Sequence, residues 1–407
     1  MILHFKKVGV VLKNNFNHFI LTGTVFLEGD FVPNQFIKVE DGKITEIGNA
    51  SNLPTDFSGN VYTYPENHYI VPGFIDIHIH GANSADTMDA TNESLSKIAS
   101  ILVQEGTTSF LATTITQNIE SIENALSVAS SYIEEHQPKN AAEIIGIHLE
   151  GPFINAIHKG AQPENYIVQP DIQLFQKWQS IAKEHIKVVT LAPEVGHGFE
   201  LVQYLNENGV IASIGHSDAK YEDVKLAIEH GAKHITHLFN GMRSIHHRDL
   251  GTAGSALLFD ELNVEMIVDG HHIHPEMVRF VTKVKPLDQI ILITDSMRAK
   301  WLADGVSELG GQKVIVENGT ARLESGSLAG SILKMNEAIK NMMNFGQISL
   351  SEAIKLATYN PAKALGILDR KGIIAVGRDA DIVVLNEDIE PILTITRGEF
   401  AYIKEVQ

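Results

Sequence analysis

The chain has 407 residues, room for two or three domains at about 150 residues each, and its 44% hydrophobic and 20% charged residues can bury a large core. Against 50 Asp and Glu stand 32 Lys and Arg, a net charge of −18 that repels phosphate backbones and anionic lipid, so neither nucleic acid nor a membrane surface is an expected partner. The absence of cysteine removes disulfides, thiol nucleophiles and thiolate metal sites, which leaves nitrogen and oxygen ligands for any metal.

At the start, Lys6 and Lys7 precede a short apolar run at 8–12, too short for a signal sequence, and no later segment has about 18 consecutive apolar residues. A cytoplasmic location is the expectation. Residues 36–40, the turn Asp41-Gly42 and residues 43–47 read as a β-hairpin. From Tyr69 the pattern changes. Apolar runs at 69–80, 108–115, 143–150, 188–192, 210–216, 235–240, 264–269 and 290–295 alternate with helix-like stretches such as 93–105 and 119–135. These eight runs are apolar on both faces, as buried parallel strands are. Their number and span match a (β/α)8 barrel of about 250 residues, and no Gly-x-Gly-x-x-Gly follows the first run to favour a dinucleotide-binding sheet.

Short strands return at 372–376, 380–385 and 393–396. The expected fold is therefore α/β: a (β/α)8 TIM-like barrel over 71–369, with a small β-sandwich domain built from both chain ends, 1–70 plus 370–407. Residues 297–330 form a long insertion after the eighth strand, and loops of that length are usually functional.

A barrel of this kind carries its active site at the C-terminal strand ends. His78 and His80 close the first run and, two residues apart, face the same side. Glu150 ends the third run, His216 the fifth and Asp295 the eighth, while His237 lies in the sixth. Each alone has a bland reading as a core pair, a loop-bonding carboxylate or a cap. Together, imidazoles and carboxylates converging on one mouth suit a divalent metal, Zn or Fe, with one position open to water. Such an ion supplies hydroxide near neutral pH, and a carboxylate can carry a proton from water to a leaving amine.

Pro72-Gly73-Phe74-Ile75-Asp76 leading into His78-x-His80, with Gly377-Arg378-Asp379-Ala380-Asp381-Ile382-Val383 near the end, resembles the amidohydrolase superfamily. His148-Leu149-Glu150-Gly151-Pro152-Phe153, Gly215-His216-Ser217, Thr236-His237-Leu238-Phe239-Asn240-Gly241-Met242 and Asp269-Gly270-His271-His272 narrow the likeness to its N-acetylglucosamine-6-phosphate deacetylase family, in order from about residue 20 to 400. The resemblance implies one essential ion on Glu150, His216 and His237, with Asp295 as the acid/base. Relatives differ at the strand-one pair; His78 and His80 are both present here, which implies a second ion bridged by Glu150. Implied substrate contacts are Ala161, Asn240, Gly241, Arg248, His272 and the loop Leu328-Ala329-Gly330. Some relatives carry His where this chain has Gln162. A homodimer in which Arg248 reaches the neighbouring site is implied as well.

The implied reaction deacetylates N-acetyl-D-glucosamine 6-phosphate, a small phosphorylated amino sugar. A phosphate in so acidic a chain needs a local cluster. His246, His247 and Arg248 follow the sixth strand and His271 and His272 the seventh, so the two loops are barrel neighbours offering a guanidinium fork and imidazole donors. Singly, His246, His247 and His271 read as solvated loop residues, and His158, His197 and His230 as surface or rim. Rivals are the galactosamine epimer, a cyclic-amide hydrolase and a non-catalytic scaffold. The second usually needs a Lys on the fourth strand, where this chain has Leu191-Ala192-Pro193-Glu194, and the third predicts decayed ligands.

Overall fold

The structure, a computed structural model, describes residues 18–54 and 57–405; the apolar run at 8–12 lies outside the described residues. Eight parallel strands pair in chain order: β1 (Phe74–Ile79), β2 (Thr107–Thr114), β3 (Glu143–Glu150), β4 (Ile186–Leu191), β5 (Ile211–Ile214), β6 (His234–Ile235), β7 (Asn263–Met266) and β8 (Ile290–Leu292). A helix follows each strand. The one at Ile119–Glu135 shows why: Asn118 caps it by accepting from Ser121 N at 2.9 Å, and Ile122, Leu126 and Ala129 recur at helical spacing on its buried face. The barrel closes between β8 and β1. Asp295 N donates to the His78 carbonyl at 2.8 Å, and Thr294 Oγ1 donates to Asp76 Oδ2 at 2.5 Å. Among the described residues no helix is long and apolar enough to cross a membrane.

The run at 69–80 proves to be two strands in two sheets. Tyr69–Pro72 pairs with His18–Leu27 and Ile382–Leu385 in a sheet made from both chain ends, and only Phe74–Ile79 enters the barrel. The crossing falls at Gly73, where a Cβ would sit 2.1 Å from Thr108 Oγ1; no larger residue lets the chain pass. The end sheet has eight strands and folds over its own apolar core: Phe19 in His18–Leu27 meets Phe400 in the edge strand Glu399–Ile403 at 5.0 Å between ring centroids. Residues 372–376 are not a strand. Their apolar character reports the burial of Ile374 in that core, while Gly377 N donates to the Ile44 carbonyl in a turn.

The insertion after β8 holds a three-stranded antiparallel sheet, Gly305–Leu309, Gln312–Glu317 and Thr320–Leu323, with an apolar core of its own. Its base is anchored deep in the barrel wall. Lys300 Nζ lies 2.6 Å from Glu105 Oε1, both side chains fully buried, and Trp301 Nε1 donates to Glu105 Oε2 at 3.1 Å. Replacing Lys300 by Met should cost about 3–5 kcal/mol, because a buried carboxylate then loses its cation. Adding Glu105→Leu should restore part of that loss; Trp301 Nε1 and Met335 N still lose their acceptor. Thermal and denaturant melts of the two variants check this, and a Lys300→Met protein as stable as the wild type refutes the anchor.

Candidate active site

The C-terminal strand ends place the polar residues. Glu150 ends β3, His78 lies within β1, and His80 follows it directly. His216, His237 and Asp295 lie two or three residues past β5, β6 and β8, in left-handed backbone with φ of 47°, 32° and 47°. Such non-glycine conformations cost about 1–3 kcal/mol each and persist only where the surroundings impose them. Here they bend each strand end so that its side chain enters the mouth.

The imidazoles have fixed tautomers. His216 Nδ1 lies 2.8 Å from the His158 carbonyl, and His237 Nδ1 lies 3.0 Å from the Asn240 carbonyl. A carbonyl only accepts, so each Nδ1 carries a hydrogen, and in the neutral ring each Nε2 presents a lone pair. Both lone pairs face Glu150 Oε1, at 3.0 and 3.1 Å, and the two Nε2 atoms are 3.2 Å apart. Three buried acceptors aimed at one point fit a cation between them, and the N2O donor set suits zinc or ferrous iron. The electrostatics show the same demand of Glu150 for positive charge, which a proton on the ring can also meet. Burial alone would lower the His237 pKa, but Glu150 raises it to about 9. Burial would raise the Glu150 carboxyl, yet the surrounding imidazoles hold it well below the usual carboxylate value.

A second group adjoins the first. His80 Nε2 lies 3.3 Å from both Glu150 Oε2 and Asp295 Oδ1, and His78 Nε2 lies 3.6 Å from both Glu150 Oε1 and Asp295 Oδ1. His78, His80 and Asp295 could hold a second ion, with Glu150 between the two positions. Burial pushes the Asp295 carboxyl upward, but His78 and His80 outweigh it and keep its pKa below the ordinary value.

These groups floor a cavity of about 240 Å³. Ala161, Asn240, Gly241, His272, Leu328 and Gly330 line it, as the sequence led us to expect. Gly241 also packs on His216, where a Cβ would come within 2.9 Å of Nδ1. His272 is steadied by Asp269, whose Oδ2 lies 2.7 Å from its Nδ1, leaving Nε2 for a ligand. Two expected contacts lie elsewhere. Ala329 is buried in the core of the insertion, held by its N–H to the Ala321 carbonyl, and Arg248 is exposed outside the mouth with Nη1 2.6 Å from His247 Nε2. His158, read as a rim residue without a role, orients His216 through its carbonyl.

Sequence reasoning missed Ile115, Leu309 and Ser327 in the wall and gave Gln162 no task. The Gln162 Oε1 accepts from Thr116 N at 2.8 Å, which turns its amide nitrogen onto Glu150 Oε2 at 2.7 Å. A larger cavity, about 600 Å³, lies between the end sheet and the barrel against Phe26, Leu356 and Ile374, away from every metal-ligand cluster among the described residues.

Residues 69–404 match the amidohydrolase family. An N-acetylglucosamine-6-phosphate deacetylase of Bacillus subtilis (strain 168) is 45% identical over 382 residues, 94% of this chain and 96% of its own. An N-acetylgalactosamine-6-phosphate deacetylase of Escherichia coli O157:H7 is 30% identical, covering 94% of this chain and 99% of its own. A mutant N-acetyl-D-glucosamine-6-phosphate deacetylase from Mycobacterium smegmatis, solved in complex with N-acetyl-D-glucosamine-6-phosphate, superposes with a TM-score of 0.88 at 29% identity, over 95% of this chain and all of that one. With the barrel, the strand-end ligands and these relatives in agreement, the chain belongs to the amidohydrolase family.

Proposed function

We propose that this chain is a metal-dependent hydrolase that converts N-acetyl-D-glucosamine 6-phosphate to D-glucosamine 6-phosphate and acetate. The observation that carries this reading is the buried convergence of Glu150, His216 and His237 beside Asp295, in a chain 45% identical to a deacetylase of that sugar phosphate. Identity to the galactosamine-type relative is 30%, which favours the glucosamine epimer. A cyclic-amide hydrolase would want a Lys at the end of β4. Glu194 stands near that point instead, accepting from Ser217 Oγ and Asp218 N.

A zinc or iron ion held by Glu150, His216 and His237 would polarise the acetamide carbonyl and make hydroxide available near neutral pH; His78, His80 and Asp295 would hold a second ion. Asp295 is the proton carrier. Its carboxylate is ionised at neutral pH, so it can take the proton of water and return it to the departing nitrogen, which leaves only as an amine. Gln162 holds the outer oxygen of Glu150, keeping that carboxylate from rotating as charge develops. Asn240 and His272 face the sugar from the loops after β6 and β7.

The phosphate reading carries a quaternary proposal. Arg248 is exposed and does not line its own cavity, so it serves the neighbouring site of a homodimer, and the exposed Ile245 and Leu250 in the same loop are apolar surface for that contact. A cytoplasmic location belongs to the same proposal, because a charged sugar phosphate does not diffuse across lipid.

Acetate release from N-acetyl sugars with and without a 6-phosphate, on protein of known metal content, tests the whole reading. Asp295→Asn should lower turnover by ~10²–10⁴-fold while the ion on Glu150, His216 and His237 stays bound; near-native turnover removes Asp295 from the mechanism. Single replacements of Glu150, His216 or His237 should lose metal and activity together, as elemental analysis of each variant will show. Arg248→Ala should weaken use of the phosphorylated sugar by about ten- to a hundredfold, the size of one charge-assisted contact, and leave the unphosphorylated sugar almost unaffected. Mixing Arg248→Ala with Asp295→Asn chains should raise activity above either parent if the Arg acts in trans; no rise after verified subunit exchange removes the shared site.

A further inference from the structure

One fully buried carboxylate beneath the metal ligands has no task in the mechanism above. Glu265, on β7, turns into the barrel, and its Oε2 lies 3.0 Å from His78 Nδ1 and 3.3 Å from the main-chain nitrogen of His237. A main-chain N–H can only donate, so Oε2 is an acceptor. With Glu265 a carboxylate and the ring neutral, the hydrogen between them sits on Nδ1, and the lone pair of His78 sits on Nε2. That Nε2 is buried without a hydrogen-bond partner and faces Glu150 Oε1 and Asp295 Oδ1, each 3.6 Å away. A lone pair opposite two carboxylate oxygens is repelled unless a cation lies between them.

The neighbouring His148 offers no alternative. Its Nδ1 donates to the Ile77 carbonyl at 3.0 Å and its Nε2 lies 2.7 Å from Thr190 Oγ1, so both nitrogens are engaged. His148 instead packs edge-on against His78 at 4.5 Å between centroids and limits rotation of that ring.

We infer that Glu265 is a positioning residue that fixes His78 as the Nδ1–H tautomer and so creates the second cation position, tying it through the His237 main chain to the first. The inference rests on the two-ion reading above. Carboxylate partners behind a metal-bound imidazole set ligand basicity and orientation, and their removal typically costs ten- to a hundredfold in metal affinity. Glu265 acts on His78 through its side chain but touches His237 only at the backbone. Its loss should therefore weaken the second ion by that factor and leave the first bound.

The test is zinc binding to Glu265→Leu and Glu265→Gln by chelator competition and elemental analysis, with melting curves as the control for folding. Leu removes the acceptor, so the second ion should weaken ten- to a hundredfold while one ion per chain remains. Gln retains a carbonyl acceptor for His78 and should restore most of the affinity. A purely structural Glu265 would lower the melting temperature of both variants without a change in second-ion affinity, and that result overturns the inference. Should the Leu variant fail to fold, nitrogen-15 spectra of the metal-stripped wild type decide, with the His78 signal assigned by its loss in His78→Gln. The Nδ1–H tautomer supports the inference, and the Nε2–H tautomer overturns it. If saturated wild type holds only one ion, the two-ion reading fails by itself, and the tautomer measurement still judges the hold of Glu265 on His78.

Discussion

Everything at the mouth of this barrel is arranged around a single buried carboxylate. Glu150 is almost wholly removed from water, where an uncompensated charge costs several kcal/mol. Its Oε1 faces two lone-pair nitrogens, and its Oε2 receives the Gln162 amide and faces His80. Among the described residues no lysine or arginine pairs with it: the Lys300 and Lys371 ammonium groups are buried in pairs elsewhere, with Glu105 and with Asp381. The positive charge that balances Glu150 must come from protons on the imidazoles or from a bound ion. Carbonyl partners at His216 and His237 hold one hydrogen on each Nδ1, so that each Nε2 is left to face Glu150 with either a proton or an ion between them.

That demand shapes the barrel below it. The upper interior is polar where an ordinary barrel would be filled with branched aliphatic side chains. His148, Thr190, Thr236 and Ser213 form a chain of contacts of 2.6–2.7 Å across the strands, and Glu265 enters from β7. The arrangement exchanges packing energy for orientation. Its stability is supplied by the apolar faces of the surrounding helices and the tight seam from β8 to β1.

How much of this was legible follows from what hydrophobic patterns can carry. The strands at 108–115, 143–150 and 290–295 were visible because burial on both faces puts apolar residues at odd and even positions alike. The same signal was blind at 69–80, since a continuous run says nothing of the chain leaving one sheet for another at Gly73. At 372–376 it misled, because Ile374 is buried without being extended in a ladder. The candidate ligands His78, His80, Glu150, His216 and His237 and the candidate acid Asp295 could be picked out since each interrupts an apolar strand end with a chemically distinctive group. Glu265 gave the same kind of signal, a lone carboxylate within an apolar strand, but it lies before the strand end rather than at it. Gln162 and the His158 carbonyl carry no sequence signal at all; their roles exist only once the loop after β3 folds over the mouth.

The charge balance makes the last step. At −18 the chain repels a sugar phosphate at long range, so attraction must be concentrated at short range. The cations near the mouth are mostly committed. Arg243 is pinned between Asp218 and Asp249, and Arg298 is held by Asp89. Arg248 differs: among the described residues no carboxylate lies within ion-pair distance of it, and this exposed guanidinium does not line the cavity of its own subunit. In the homodimer proposed above it would be one half of a composite site, in which a second copy would supply the cavity, His272 and Asn240, and this copy the charge.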